Sequence, residues 1–417
     1  MVGVAAAGGG AGGGGPADSA WPLDALVLLD AVEDTVSLAV RELCCRLGIA
    51  GGSFARSTDN LQAASCLRMS EDIFRQVVES EGKAVLKAAR EERLPVDWSA
   101  KECVVEKPDG QQKSLVYASA DGVLVPATTQ AEKDKRRATV KRKRQAQRAP
   151  RGVKRARLAA VKLGADQRYK QLYLTSFYDQ DKSHRLVSVT RGDHEAMGKL
   201  LGRDAARLRL PAADEKIGLV DGAVCLQRHM DGLDLTAVGL DFCHLAGHVH
   251  AAYRELGPER GGKPGSPGPT LPPTPPADPT PEAAPRSPDP RAKPAPAKDP
   301  RAIALLHTVK QRGYGPFWEQ LLATRSALRG RRRKCMDKLL HYAAQHQDMI
   351  GYPEFLENEW DIGTGPMEAQ CKATTRRIKG SGMRWDLENA EALVGLEALY
   401  QSHQWDQWWS NTRCHMN

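Results

Sequence analysis

The sequence has no long apolar segment, and this absence limits where the protein can work. No run of apolar residues approaches the roughly 20 that are needed to span a bilayer. The start, MVGVAAAGGGAGGGGPADSA, lacks the basic beginning and the apolar centre of a signal peptide. We therefore expect a disordered Gly/Ala tail over residues 1–20, no membrane partner and a cytoplasmic location.

The nine cysteines follow no regular spacing, and no C-x-x-C pair occurs among them. This pattern predicts reduced thiols in a cytosolic protein rather than a disulfide framework. Cys243, His244, His248 and His250 could suggest a zinc site. The last two histidines are too close in sequence for the usual zinc-binding pair, so the spacing disfavours structural zinc.

Positive charge is in excess, with a net charge of +9, and it is concentrated in one place. Residues 129–162 include the run KDKRRATVKRKR, which contains Lys141, Arg142, Lys143 and Arg144. Such a run is either a solvated arm or a surface that contacts nucleic-acid phosphates. Its density favours phosphate contact, and we predict a basic loop over these residues.

Residues 21–100 have the apolar spacing of helices. A short helix near Asn60–Cys66, a turn at Leu67–Met69 and a capped helix beginning after Ser70 outline a helix-turn-helix. An ordinary helical hairpin would have the same pattern. The region is predicted to be helical, with DNA recognition as one of two interpretations.

The second half of the chain is predicted to be mainly helical. Residues 257–300 are saturated with proline, which predicts an extended, disordered insertion. Helices are expected over 301–361 as an all-helical insertion, and again over 362–417. Trp405, Trp408 and Trp409 near the end suggest packing more than base stacking, because aromatic side chains are mostly buried.

Three of the five predicted strands have an acidic residue at their end. Leu115–Ala120 precedes Asp121, and two later short apolar runs precede Asp221 and Asp241. A hairpin is predicted between them, over 171–178 and 185–190. If the first and fourth strands are parallel neighbours, the carboxylates of Asp121 and Asp221 meet at the edge where open α/β sheets place their sites.

A third acid begins a late helix. Pro366 suits the first position of a helix, and Glu368 follows two residues later. Glu368 could simply complement the helix dipole and pair with Lys372. The cations that follow instead suggest a surface for DNA, and they are Arg376, Arg377, Lys379 and Arg384.

Three carboxylates in one cleft repel one another unless cations lie between them. Hard oxygen ligands suit Mg²⁺ or Mn²⁺. Two such ions can activate the attacking oxygen and stabilise the leaving oxygen in phosphoryl transfer. Asp121, Asp221 and Glu368 are therefore predicted as both catalytic residues and metal ligands.

The chain resembles the DDE transposases of the Mutator-like group, and within it the Kra-type branch of bacterial insertion sequences. The resemblance rests on Asp121-Gly, Asp221-Gly-Ala, Asp241-x-x-His244 and the block GTGPMEAQCK…RRIKGSGMRW, within residues 121–409. It implies an RNase H-like catalytic core, with a mixed five-stranded sheet flanked by helices, an all-helical insertion and an N-terminal helical domain. The core's first part would span 113–256, and residues 362–417 would form its C-terminal helices.

What the resemblance implies for residues follows the motifs. Asp121, Asp221 and Glu368 match the three catalytic acids, and Asp241 with His244 matches a pair that orders the following helix. The long basic connection after the first strand and the proline-rich insertion depart from the family pattern. They leave open whether the element remains active.

Three functions are compatible with these residues. The first is a DNA transposase that acts on terminal inverted repeats and target DNA as a homo-oligomer, associated with the nucleoid. The second is a catalytically inactive, transposase-derived DNA-binding protein. The third is a stand-alone structure-specific nuclease that cuts DNA without joining it.

Overall fold

The structure, a computed structural model, describes residues 36–146, 168–257, 299–380 and 382–414. The predicted Gly/Ala tail, the predicted helical residues 21–35, residues 147–162 of the basic run and nearly all of the proline-rich insertion lie outside the described residues. Within the described residues, no helix is both long enough and apolar enough to cross a membrane.

The helices of the described residues are numbered along the chain. They are α1 Leu38–Ala50, α2 Phe54–Ser65, α3 Glu71–Arg90, α4 Gln130–Ala146, α5 His194–Arg207, α6 Val224–Asp231, α7 Phe242–Leu256, α8 Pro300–Arg312, α9 Tyr314–Ser326, α10 Gly330–Gln345, α11 Tyr352–Glu357, α12 Gly365–Thr375, α13 Leu387–Gln401 and α14 Trp405–Cys414.

The strands form a mixed sheet with helices around it. They are β1 Val104–Glu106, β2 Gln112–Thr128, β3 Tyr169–Tyr178, β4 Arg185–Thr190, β5 Glu215–Val220, β6 Ala237–Leu240 and β7 Trp385–Asp386. The order of the central strands is β4-β3-β2-β5-β6. β3 and β4 are antiparallel, whereas β2, β5 and β6 are parallel. The predicted α/β class, hairpin and parallel neighbours are present.

The chain forms two compact units. Among the described residues, the first unit comprises 36–95, 126–146, 168 and 376–414, and the second comprises 96–125, 169–257 and 299–375. The sequence-based domains instead placed residues 362–417 with the core. In the structure, α13 packs on α3, where a Cβ atom at Gly82 would lie 2.4 Å from the carbonyl oxygen of Ala392. This close approach places the C-terminal helices with the N-terminal ones.

Both faces of β2 are buried in the second unit, because its side chains alternate between two cores. Val116, Ala118 and Ala120 point into the larger core, which α5, α7, α8 and α10 also line. Leu115 and Tyr117 point into a smaller core on the other face. A strand covered on both faces is typical of the centre of an α/β sheet. This burial fixes the register that positions the acidic residues.

One predicted loop is a helix. Residues 130–146 of the basic run form α4, and the prediction of a loop over 129–162 was wrong for this part. Thr129 and Glu132 form a reciprocal capping box: the Glu132 N–H donates to Thr129 Oγ1 over 3.2 Å, and the Thr129 N–H donates to Glu132 Oε2 over 2.9 Å. Lysine, arginine, glutamine and alanine are also strong helix formers.

Candidate functional site: an acidic cluster at the sheet edge

Three acids lie at corresponding positions on or after three neighbouring parallel strands. β2 pairs with β5 at a constant offset, ending with Ser119 opposite Leu219, and Val220 of β5 pairs with Leu240 of β6. Asp121 and Asp221 therefore come two residues after a matched pair, and Asp241 directly follows β6. The predicted meeting of Asp121 and Asp221 at one sheet edge is what the register produces.

Asp121 is not at the end of its strand, as the sequence had suggested. β2 continues to Thr128, because Val123 and Val125 keep the buried alternation of a strand. The prediction of a short strand ending before Asp121 was therefore wrong, although pairing with β5 does end near it. The acid lies where β2 leaves its parallel neighbour.

The carboxylate of Asp121 is held by two donors. The N–H of Gly122 donates to Oδ1 over 2.6 Å, and the thiol of Cys371 donates to Oδ2 over 3.5 Å. Burial raises the pKa of Asp121, the negative charge of Asp221 adds to this effect, and the Gly122 hydrogen bond opposes it. Because Cys371 lies three residues after Glu368 on α12, its contact places that helix beside Asp121.

A tight turn positions Asp221. Its Oδ1 accepts a hydrogen bond from the N–H of Ala223 over 2.9 Å, and Gly222 between them has a φ of +90°. A Cβ atom on Gly222 would lie 2.7 Å from the hydroxyl of Tyr342 and 3.1 Å from Nε2 of His346. Only glycine meets both requirements, so the Asp-Gly sequence here has a structural cause.

The helical region before α12 supports this turn directly. The ring of His346 is buried, and its two nitrogens lie 2.8 Å from the carbonyl oxygen of Gly222 and 2.7 Å from that of Tyr342. Burial, followed by the charges of Asp221 and Asp241, raises the pKa of Tyr342 to about 12. Tyr342 therefore stays neutral beside the acids. Sequence analysis missed both residues, since neither has a local motif that points to Asp221.

Asp241 connects two helix starts. Its carboxylate caps α7 by accepting from the N–H groups of Cys243 and His244, and its Oδ1 also accepts from the N–H of Thr364 over 2.9 Å. Thr364 immediately precedes α12, whose first turn carries Glu368. Asp241 is 1% exposed. This buried carboxylate therefore fixes the position of the third acid.

His244 lies between the acids. Its Nδ1 is 2.5 Å from Oδ2 of Asp241, and one ligand atom each from His244, Asp241 and Glu368 lies within 4.8 Å of the other two. Burial alone would lower the pKa of His244, but the hydrogen bond that His244 donates to Asp241 and the charges of Asp241, Asp221 and Glu368 together raise it. An imidazole bonded to a carboxylate through Nδ1 keeps Nε2 for a metal ion or for a substrate.

The other four predicted motif residues all interact electrostatically with His244. Asp221 and His244 act electrostatically on Asp121, and Asp221, Asp241 and Glu368 act on His244. We call Asp121, Asp221, Asp241, His244 and Glu368 the acidic cluster. Glu368 also pairs with Lys372 over 3.2 Å, so the simpler interpretation of its position holds as well. Asp241, His244 and Glu368 offer ligand atoms close enough together to hold one divalent ion, and the carboxylates of Asp121 and Asp221 lie within electrostatic range of His244.

The predicted DNA contacts differ in exposure. Lys141, Arg142, Lys143 and Arg144 on α4 are exposed, as are Arg376, Lys379 and Arg384. Arg377 is different, at 6% exposed. This burial argues against a phosphate contact by Arg377.

Arg377 forms what we call the arginine stack. Its guanidinium carbon lies 4.7 Å from the ring centre of Phe54 and 5.0 Å from that of Trp385, and its Nε–H donates to the carbonyl oxygen of Gly48 over 2.9 Å. Cation–π contacts of this kind stabilise packing when they are desolvated. Nothing in the order Arg376-Arg377 distinguishes the buried residue from the exposed one.

A cleft of about 670 Å³ lies beside the arginine stack, in the first unit. Its lining includes the cations Arg75, Lys133, Arg136 and Arg384, and the acids Glu71, Glu79 and Asp386. Lys133 pairs with Asp386, and Arg75 pairs with Glu79. The lining therefore has mixed charge, in contrast to the exposed face of α4.

Comparison with known proteins adds no assignment, since neither a scan of protein-family models nor a search of curated proteins found a match for this chain.

Proposed function

We propose that the protein is a DNA transposase that cleaves a phosphodiester bond at the end of a mobile element and joins the freed 3′-hydroxyl to target DNA. The observation that carries the proposal is the acidic cluster. Asp121, Asp221 and Glu368 come from distant parts of the chain, and each of them interacts electrostatically with His244, which contacts Asp241. Their order in the chain is the one that the resemblance to DDE transposases implies.

The donor set fits Mg²⁺ or Mn²⁺. The residues offer mainly hard carboxylate oxygens, and the raised pKa of Asp121 reflects burial and repulsion that a bound cation would relieve. When bound, two such ions supply activation of the attacking oxygen and stabilisation of the leaving oxygen. Asp121, Asp221 and Glu368 would hold them.

Asp241 and several residues outside the acidic cluster position these ligands. Asp241 anchors the start of α12 through Thr364, and it orients His244 through Nδ1. Cys371 ties the next turn of α12 to Asp121. Glycine at position 222 lets the Asp221 turn approach Tyr342 and His346. These contacts hold acids from distant parts of the chain in one place, which is the protein's main contribution in phosphoryl transfer.

The arrangement of strands is compatible with an RNase H-like core. The five central strands form a mixed sheet in the order β4-β3-β2-β5-β6, and helices α8–α11 precede the helix of the third acid. We infer that these helices are the all-helical insertion of the family. Exposed cations on α4, together with Arg376, Lys379 and Arg384, are proposed to contact the DNA backbone.

The test is an assay of cleavage and joining on labelled DNA that carries the sequence flanking the gene, with Mg²⁺ or Mn²⁺. The wild-type protein should cut the fragment and join it to target DNA, and Asp221→Asn should do neither while still binding the fragment. Strand transfer that is unchanged in Asp221→Asn would refute the assignment.

Two other outcomes identify the alternatives. If both proteins bind DNA with no chemistry under any divalent ion, the chain is a DNA-binding derivative of a transposase. If the wild-type protein cuts without forming a joined product, it is a stand-alone nuclease. The coordination chemistry of the acidic cluster favours the catalytic interpretations over the first alternative.

A further inference from the structure

Two histidines and a glutamate form a second group of metal-ligand type in the second unit. One ligand atom from each of His194, Glu195 and His229 lies within 4.8 Å of the other two. His194 and Glu195 are the first two residues of α5, and His229 lies in the last turn of α6. The two imidazole rings are 5.8 Å apart between centroids, and His194 Nδ1 is 3.4 Å from Glu195 Oε1.

Both imidazoles have an unsatisfied nitrogen. His194 Nδ1 and His229 Nε2 are shielded from solvent, and neither has a hydrogen-bond partner among the described residues. A buried polar atom without a partner typically costs about 1–3 kcal/mol. A metal ion bound to the nitrogen lone pairs would remove this cost. His194 and His229 therefore offer donor atoms for a metal ion, and binding the ion would also satisfy their buried nitrogens.

The helix is shaped around one of these rings. A Cβ atom on Gly198 would lie 2.2 Å from Nδ1 of His229 and 2.4 Å from its Cε1. Gly198 lies four residues after His194, so the two positions share one face of α5. The absence of a side chain at Gly198 lets His229 reach the face that carries His194.

We propose that His194, Glu195 and His229 bind a divalent transition-metal ion of the Zn²⁺ type. Two imidazole nitrogens and one carboxylate oxygen are the ligands that Zn²⁺ uses in three-residue sites, where water takes the fourth position. Imidazole favours Zn²⁺, Ni²⁺ or Cu²⁺, whereas the carboxylates of the acidic cluster favour Mg²⁺ or Mn²⁺. With metal–ligand distances of about 2.0–2.2 Å in a tetrahedral site, the donors need to approach one another by at most about 1.4 Å.

The ion would join α5 to α6. α6 begins directly after the Asp221-Gly222-Ala223 turn, so the ion would fix the helix that follows the second acid. The N-terminus of α5 opposes a cation. The carboxylates of Asp193, which caps the helix, and Glu195 offset that effect.

Another group of possible metal ligands differs from the histidine pair because its donor atoms already have partners within the protein. Cys103, Asp179 and His184 also lie close together. However, Asp179 Oδ2 already contacts His184 Nδ1 and the Ser183 hydroxyl, each over 2.7 Å. Burial raises the pKa of Cys103 to about 12, so its thiol stays protonated and is a poor ligand. That group is satisfied internally.

The test uses Co²⁺ as a coloured substitute for Zn²⁺. The full chain carrying Asp121→Asn and Glu368→Gln, which weaken the acidic cluster, is titrated with Co²⁺ while visible absorption is recorded. One Co²⁺ should bind with the intense bands of a nitrogen-containing tetrahedral site, and Zn²⁺ should displace it. Zn²⁺ should also raise the midpoint of thermal unfolding.

His229→Phe keeps a ring against Gly198 and removes both nitrogens. It should weaken Co²⁺ binding at least about tenfold, or ~1.4 kcal/mol. His307→Phe is the matched control, because His307 is exposed on α8 and lies outside the metal-ligand groups of the described residues, and binding should not change. His194→Gln provides the same test if His229→Phe does not fold.

Unchanged Co²⁺ binding in His229→Phe or in His194→Gln would overturn the proposal, as would the absence of any bound Co²⁺ in the parent protein. Either result would leave the transposase assignment untouched, because the parent protein already has a weakened acidic cluster. Conversely, failure of the cleavage and joining assay would not affect the Co²⁺ result. The two proposals can therefore fail separately.

Discussion

The arginine stack and the acidic cluster differ in whether their buried charges have favourable partners within the protein. In the stack, the buried guanidinium of Arg377 lies against two aromatic rings and donates to a carbonyl oxygen. In the cluster, carboxylates are gathered beside one another, and the pKa of Asp121 is raised by burial and by Asp221. A charge with internal partners contributes to folding. Charges left in repulsion point to a missing partner, which is the basis for assigning function to the cluster.

The largest effect on stability is expected at Asp241, which belongs to the cluster yet has internal partners. Asp241→Ala removes the cap of α7 and leaves the N–H of Thr364 unpaired, so it should lower the free energy of unfolding by about 3 kcal/mol. Urea denaturation measures the change. Ser70→Ala removes an exposed cap on α3 and should cost only about 1 kcal/mol. Equal losses would show that Asp241 is an ordinary cap.

A comparison of Arg377 with Lys379 distinguishes a cation that stabilises packing from a cation that contacts DNA. Arg377→Ala removes the stack and should destabilise the protein by about 2–3 kcal/mol. The salt dependence of DNA affinity should keep its slope. Lys379 is exposed, so Lys379→Ala should leave stability unchanged and reduce that slope by roughly one unit.

Chemical denaturation and DNA binding at several salt concentrations measure both variants. If Arg377→Ala reduced the slope with stability intact, the arginine stack would be a DNA contact instead.

A substitution at Gly222 tests whether contact with Tyr342 and His346 supports the turn that holds Asp221. Gly222→Ala introduces a side chain at a φ of +90° and against Tyr342, and it should cost about 1–3 kcal/mol of stability. Gly247→Ala is the control, since that glycine is on α7 with no atom within 4 Å of an added Cβ, and it should be neutral or slightly stabilising. Thermal unfolding compares them. Similar midpoints would remove the structural reason for glycine at position 222.

The smallest effect is a difference in pH dependence between two acids. Asp121 has a folded-state pKa above its ordinary 3.8, so the stability it contributes at low pH is lost as pH rises through the folded value. Without divalent ions, Asp121→Asn should therefore be more stable than the wild type near neutral pH, by less than about 1 kcal/mol, and no more stable at low pH.

Glu215 provides the opposite case. Burial would raise its pKa, but hydrogen bonds from Lys107 and Trp360 outweigh burial and lower it. Its contribution is present above its ordinary 4.5 and is lost as pH falls through the folded value. Glu215→Gln should lose stability near neutral pH and recover relative to the wild type in acid. The same sign for both variants would contradict the contrast between cluster and paired acids.

The sequence predicted correctly those structural features that depend on residues close to one another in the chain. The cap at Ser70, the hairpin and the parallel strands that precede the acids all have short-range patterns, and they are present in the structure. The T-x-x-E capping box that begins α4 was also readable, but the density of charge led to a loop prediction. Cys371 could have been noticed, because it lies one turn after Glu368 on the same helix.

The remaining features depend on tertiary contacts. Tyr342 and His346 approach Asp221 from more than a hundred residues away, and no spacing rule connects them. Arg376 and Arg377 are adjacent and chemically identical, so only packing decides which is buried. His194 and His229 lie on separate helices and meet only because Gly198 leaves room for the ring.

The central claim is that the acidic cluster performs metal-dependent cleavage and joining, and Glu368 tests it most directly. Glu368→Gln removes one ligand charge at a half-buried helix start while keeping the shape of the side chain. In single-turnover reactions with Mn²⁺, its cleavage and joining should fall by about 10³-fold or more relative to the wild type, with DNA affinity unchanged. Equal rates of joining by Glu368→Gln and by the wild-type protein would contradict the account.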